Sequence, residues 1–326
     1  MRPKNDDYYR VFFIFADVGG KAGRAAKETT ERTMGEKIAY TLIISLLRAL
    51  AHLPLRILYG ISDVLYFIIY RLWGYRVQVV RGNLRSAFPD RSDEERRQIE
   101  KEFYRHLCDC IVETVKLLHI SDEELLRRVE VRNSGAVDAM TAGGSPVILF
   151  LGHYGNWEWC QVVSMAFDRR AVGGEIYKTL SSNTMERVMR TIRSRFGTML
   201  IPHRSAYRTL MEMSAEHQPF IVGFISDQRP DKSMMSHWTM FLNQKTAYFT
   251  GGEKIGQRTG ARFVYVDVEK PGRGRYRLTL VPMETDARDK EPYPYTEHYF
   301  RLLEQTIVRQ PAYWLWSHKR WYFRVP

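Results

Sequence analysis

Pro146-Val147-Ile148-Leu149-Phe150-Leu151-Gly152-His153-Tyr154-Gly155-Asn156-Trp157-Glu158 is the run on which the fold turns. Its five apolar residues after Pro146 are too few for a helix of ordinary length and match a strand buried on both faces, the kind found inside parallel sheets. A histidine and a carboxylate follow, five positions apart. On a continuous helix they would point about 140° apart, so a turn must come between them if they are to act together. Gly155 and Asn156 both tolerate the backbone angles of a turn. A histidine held in one tautomer by a carboxylate, at the carboxyl end of a strand, is the arrangement expected of a general base. No serine or cysteine nearby stands out as its nucleophile, so the base would act on a hydroxyl brought by the substrate. Taken alone, a His-x4-Glu pair is also compatible with a structural role.

Outward from this run the pattern alternates. Strands are predicted at Val147 to Leu151, Val172 to Tyr177, Phe220 to Ser226, Thr239 to Leu242, Arg262 to Glu269 and Tyr276 to Pro282, with helices near 157–167, 184–196, 204–217, 247–259 and 296–309. Such alternation implies an α/β fold, a mixed and mainly parallel sheet flanked by helices. Pro271-Gly272-Arg273-Gly274 reads as a hairpin turn, which would make one edge antiparallel. Upstream, Ser92-Asp93-Glu94-Glu95 is a capping box that should open a helix running to about His119, and Ser121-Asp122-Glu123-Glu124 a second box opening a shorter one.

Residues 37–75 predict an N-terminal helical membrane anchor. Ile38 to Leu50 and Leu55 to Tyr70 are apolar stretches broken by His52, Leu53 and Pro54 and interrupted by Arg48, Arg56 and Asp63. Neither reaches the roughly 20 uninterrupted residues of a confident span. They suit one tilted span with a snorkelling arginine, or a helical hairpin lying in one leaflet; a pair of core helices is the bland alternative. Arg71, Arg76, Arg81 and Arg85 fit a flank near anionic headgroups. Residues 1–36 lack a sustained apolar period and read as a poorly ordered extension, with Met34 a candidate initiation site.

The 326 residues carry 49 Lys plus Arg against 37 Asp plus Glu, a net charge of +12. That balance favours anionic lipid, acidic proteins or nucleic acid without choosing among them. The three cysteines, Cys108, Cys110 and Cys160, form neither a disulfide framework nor a C-x2-C metal signature, so no structural metal is expected. Asp227 and Gln228 follow an apolar run, at the strand rim where α/β sheets bind ligands, although Asp227 could be a helix cap. Lys178 follows another strand. Arg187, Arg190 and Arg193 recur on one helix that Arg195 closes, a face able to bind phosphate or an oxyanion, or merely solvated. The tail Pro311 to Arg324 interleaves aromatics with bases, which suits a headgroup interface, nucleic-acid stacking or plain packing. No RNP-type or helix-turn-helix signature supports nucleic acid.

Together these segments resemble the late acyltransferases of lipid A biosynthesis, within the lysophospholipid acyltransferase superfamily. Arg81-Gly82-Asn83-Leu84-Arg85-Ser86-Ala87-Phe88-Pro89 looks like that family's Asn-Leu…Phe-Pro segment. His153-Tyr154-Gly155-Asn156-Trp157-Glu158 is similar to its His-x4-Asp/Glu motif. Arg193-Ser194-Arg195-Phe196-Gly197, Asp227-Gln228 and Trp314-Leu315-Trp316-Ser317-His318-Lys319-Arg320-Trp321 match further segments in order. The resemblance implies an acyltransferase domain over 76–326 that moves a fatty acyl chain from acyl carrier protein to a hydroxyl of a lipid A precursor. The site would be the cytoplasmic face of the inner membrane, in contact with its lipids. It implies that His153 is the base and Glu158 its brace, with no cofactor and no metal. Tyr177-Lys178 stands where the family often has Tyr-Arg, so the oxyanion could fall to Lys178, Arg193 or Arg195. The alternatives are acyl transfer to another phospholipid, aminolipid or glycolipid, and, from another class, a non-catalytic basic peripheral membrane-binding protein.

Overall fold

A computed structural model of the protein describes residues 34–167, 171–232, 235–285 and 291–321. Helix α1 (Met34–His52) and helix α2 (Leu55–Tyr66) come first, and α2 continues into a π-helical stretch at Phe67–Leu72. Pro54 separates them because it lacks an N–H and disfavours helical angles in the residue before it. Helices α3 (Val77–Ala87), α4 (Asp93–Lys116) and α5 (Asp122–Arg128) follow, then strand β1 (Val129–Arg132), α6 (Ser134–Ala142) and β2 (Val147–Leu151). The second half contains β3 (Val172–Tyr177), α7 (Asn183–Arg193), β4 (Met199–Pro202), α8 (Ala206–Ala215), β5 (Phe220–Ile225), β6 (Trp238–Phe241), β7 (Gln244–Ala247), α9 (Gly251–Thr259), β8 (Arg262–Gly272), β9 (Arg275–Pro282) and α10 (Pro294–Arg309).

Seven strands form one sheet in the order β1-β9-β8-β2-β5-β3-β4. Strand β2 lies at its centre, parallel to both neighbours and buried at all five positions, as its unbroken apolar run requires. The β8–β9 hairpin is antiparallel, but β9 is not the edge: β1 pairs with it in parallel on the outer side. The strand expected at 239–242 belongs to a separate two-stranded hairpin, β6–β7. Strands β1, β4 and β7 escape a reading by pattern because each is four residues long and only partly buried. The helix expected at 157–167 is a 3-10 helix at Trp159–Met165.

Both capping boxes open helices, in different ways. Ser92 Oγ accepts from Glu95 N while the Glu95 carboxylate accepts from Ser92 N at 2.7 Å. Ser121 accepts from Glu124 N, but the Glu124 carboxylate turns to Arg127 and Arg128, so the reciprocal bond is not made. Helix α4 then runs for 24 residues through the interior and stops three short of the predicted end.

No helix among the described residues is long and apolar enough to cross a membrane, which removes the single tilted span. Helices α1 and α2 instead lean on the body. Tyr40 of α1 bonds Thr191 of α7 at 3.0 Å, and Leu58 and Ser62 of α2 are buried against α4. Their outer faces stay apolar, with Ile38, Leu42 and Leu46 at four-residue spacing along α1 and Ile57, Val64, Phe67, Leu72 and Trp73 in and after α2, all exposed. The predicted extension lies outside the described residues up to 33; Met34, Gly35 and Glu36 are already helical.

Candidate active site

Strands β2 and β5 are paired so that Leu151 lies opposite Ile225. Two residues further along each chain, that register brings His153 opposite Asp227. Asp227 holds the histidine twice: its Oδ2 accepts from His153 N at 2.9 Å and its Oδ1 lies 2.6 Å from Nδ1. Trp314 Nε1 donates to Oδ2 at 2.7 Å. Burial pushes the Asp227 carboxyl up, but the adjacent imidazole and these hydrogen bonds outweigh it and hold the group below the usual carboxylate range. Asp227 is therefore an ionised brace rather than a helix cap. On the other side of the ring, the Gln228 amide nitrogen is 3.1 Å from Nε2. An amide nitrogen only donates, so the bonding assigns the proton to Nδ1 and leaves the Nε2 lone pair as the acceptor.

The turn predicted after His153 is made by Gly155, at φ +61°, where a Cβ would stand 2.9 Å from Val268 Cγ1. It carries Glu158 away from the imidazole. The brace expected between Glu158 and His153 is not made: the Glu158 carboxylate, 2% exposed, accepts from Arg193 Nε at 2.9 Å and from a second guanidinium nitrogen at 2.6 Å. Arg193 also lies 3.5 Å from Glu175 on β3. Burial raises the Glu175 carboxyl to about 7; Arg193 pulls it down and Glu158 pushes it up.

These groups border a cavity of about 1070 Å³. His153, Gln228, Glu158, Arg193 and Lys178 line it, and apolar wall is supplied by Leu149, Leu151, Val163, Phe167, Ile221 and Phe224. Arg195 is not at this cavity. It lies in the turn after α7 and donates to the Leu117 carbonyl, which removes it as an oxyanion candidate. The basic face of α7 is also split: the Arg187 guanidinium stacks on Tyr40, Arg190 is exposed and Arg193 is buried. Cys160 lines the cavity, but burial raises its thiol to about 12, far from a reactive thiolate.

Among the described residues the aromatic tail packs into the body. Trp314 and Trp316 are buried, Tyr154 forms a β-bridge with Trp314, and Leu315 N donates to His153 O at 3.1 Å. Asn83 ties the same segment down by donating to the Trp316 and His318 carbonyls, both at 2.8 Å. Residues 322–324 of that tail lie outside the described residues.

Residues 25–322 match the family described as bacterial lipid A biosynthesis acyltransferase. The chain belongs to that family. It is 26% identical over 262 residues, 75% of this chain and 78% of the relative, to the lipid A biosynthesis palmitoleoyltransferase of Escherichia coli K12. The lipid A biosynthesis acyltransferase of Shigella flexneri matches to the same extent. The lipid A biosynthesis lauroyltransferase of Escherichia coli K12 is 20% identical over 278 residues, 85% of this chain and 89% of that one.

Within this acyltransferase, the sequence had marked His153, Glu158, Lys178, Arg193, Asp227 and Gln228, and the fold brings all six to one cavity or its wall. It had not marked Trp314 or Glu175 as parts of the site. Trp314 was visible within the family-like tail. Glu175, one carboxylate inside a predicted strand, gave no signal.

Proposed function

We propose that this acyltransferase moves a fatty acyl chain from the thioester of acyl carrier protein to a hydroxyl of a lipid A precursor, with His153 as general base. The observation that carries the proposal is the Nδ1–Asp227 contact of 2.6 Å, with His153 bordering a cavity that has extensive apolar wall. An acceptor hydroxyl displaces the Gln228 amide at Nε2 and gives its proton to that lone pair as its oxygen attacks the thioester carbon. Asp227 stabilises the imidazolium that forms. The tetrahedral oxyanion develops in the field of Lys178 and Arg193, the latter held in place by Glu158. Collapse breaks the carbon–sulfur bond, and the imidazolium returns the proton to the departing thiolate.

The exposed apolar stripe on α1 and α2 supports a protein that lies on the cytoplasmic face of the inner membrane, its apolar face in one leaflet. A net charge of +12 suits anionic headgroups and an acidic carrier protein.

The test uses acyl carrier protein charged with labelled fatty acid and vesicles of anionic lipid containing the lipid A precursor. The parent should float with the vesicles and transfer label. His153→Ala should float equally and transfer about 10²- to 10⁴-fold more slowly. Transfer by the variant at the parental rate removes the base, and a parent that stays in solution removes the membrane reading.

A further inference from the structure

The turn between His153 and Glu158 rests on one face of α4. His106, Cys110 and Glu113 are spaced i, i+4 and i+7, so they line one side of the helix. All three are buried, and all reach this turn or residues beside it. Lys270 Nζ lies 3.0 Å from His106 Nδ1, and His106 Nε2 lies 3.2 Å from the Gly155 carbonyl. Burial, then Lys270, pushes the His106 imidazolium well down, so the ring is neutral, accepts from Lys270 and donates to Gly155. Cys110 Sγ points to the same carbonyl at 3.6 Å.

Glu113 makes the more demanding contact. Its side chain is 0% exposed, and its carboxylate accepts from Asn156 Nδ2 at 2.8 Å, Tyr276 OH at 2.7 Å and Tyr59 OH at 3.0 Å. Its backbone carbonyl accepts from Trp159 Nε1 at 2.9 Å, and Asn156 Oδ1 in turn accepts from Trp159 N at 3.3 Å. Burial, then the neighbouring carboxylate, pushes the Tyr59 and Tyr276 phenols up, so both remain donors. A buried carboxylate is tolerated only with such a set of partners. This one spends them on a residue of the motif, a strand of the sheet and helix α2.

We propose that Glu113 is a positioning residue for acyl transfer: by clamping Asn156 it fixes the turn that sets His153 and Glu158 at their separate partners. This rests on His153 being the base. Because Glu113 meets no substrate, its loss should lower kcat and leave KM for donor and acceptor unchanged. Asn156→Asp places a second carboxylate against Glu113, and like charges at hydrogen-bond distance cannot both be accommodated. Glu113→Gln added to Asn156→Asp exchanges donor for acceptor across the same contact, and its second amide hydrogen is available to the Tyr276 oxygen.

The experiment measures kcat and KM of the full chain on vesicles, beside thermal unfolding. Asn156→Asp should lose at least tenfold in kcat with KM unchanged, and the double variant should recover to within about threefold of the parent, since truly coupled contacts show themselves in such cycles. Parental kcat in Asn156→Asp, or a double variant still tenfold down, overturns the proposal. If Asn156→Asp fails to fold, the double variant decides: folded and active supports the clamp, and unfolded or tenfold down sinks it. A His153→Ala control run alongside separates the two failures, since full activity there condemns the base and not the clamp.

Discussion

A histidine–carboxylate pair and an arginine–carboxylate pair stand at the same cavity, and they differ in what they leave free. His153–Asp227 has a buried acid and an imidazole whose side chain is 17% exposed, so one ring nitrogen can meet a substrate. Glu158–Arg193 has both partners nearly covered, at 2% and 10% exposure of the side chains, and joined by two hydrogen bonds. In the proposed reaction the first pair exchanges a proton. The second is built to hold charge still. Two residues five apart in one motif thus serve different partners, and adjacency in sequence was no guide to which acid serves the histidine.

The comparison breaks most visibly at Asp227. Asp227→Asn keeps the shape, but an amide can present its N–H to Nδ1 and favour the wrong tautomer; kcat should fall by about 10³- to 10⁴-fold, the scale seen when a histidine's orienting acid is made an amide. A fall under tenfold, in steady-state assays with the fold intact, would move the brace elsewhere. Glu158→Gln should instead act first on stability. Arg193 then loses the acceptor of two charge-assisted hydrogen bonds but keeps the Glu175 carboxyl at 3.5 Å, so the change should cost about 1–3 kcal/mol, read as a lower denaturation midpoint, and Arg193→Met added to it should recover part of that loss. If Glu158→Gln leaves the midpoint unchanged but abolishes catalysis at bound substrate, Glu158 belongs with the reactive pair.

The smallest effect sharpens the second pair through Glu175. Its carboxyl is raised to about 7 in the folded protein, above its unfolded value. A raised acid binds its proton more tightly when folded, so its contribution is fully present below the unfolded pKa and is lost as pH rises through the folded one. Between about pH 4.5 and 7 the parent should therefore lose stability relative to Glu175→Gln, by about 1–2 °C in the unfolding midpoint for each kcal/mol involved. Parallel curves for the two proteins across that window would show that Glu175 stays ionised beside Arg193. Asp227 behaves oppositely: its lowered carboxyl contributes stability that persists through this window and disappears only as pH falls through the folded pKa.

Much of this was legible in the chain. The apolar run 147–151 determined a central strand, because only burial on both faces accommodates five such residues in succession. Ser92 with Glu95 determined the start of α4, since capping is a contact between residues three apart. His153, Asp227 and Gln228 were recognisable as polar groups just beyond strands. Their pairing was not, because it depends on which strands become neighbours and in what register, and β2 and β5 are separated by some seventy residues. The same reason hid Arg193 beneath Glu158, Trp314 beside Asp227 and Glu113 beneath Asn156. The apolar helices at 34–72 show the limit from the other side: hydropathy gave their composition, but only packing against α4 and α7 decided that one face is covered and the other left for a different environment. Local chemistry determines elements and candidate groups; partners are decided by contacts between distant segments, which no spacing along the chain encodes.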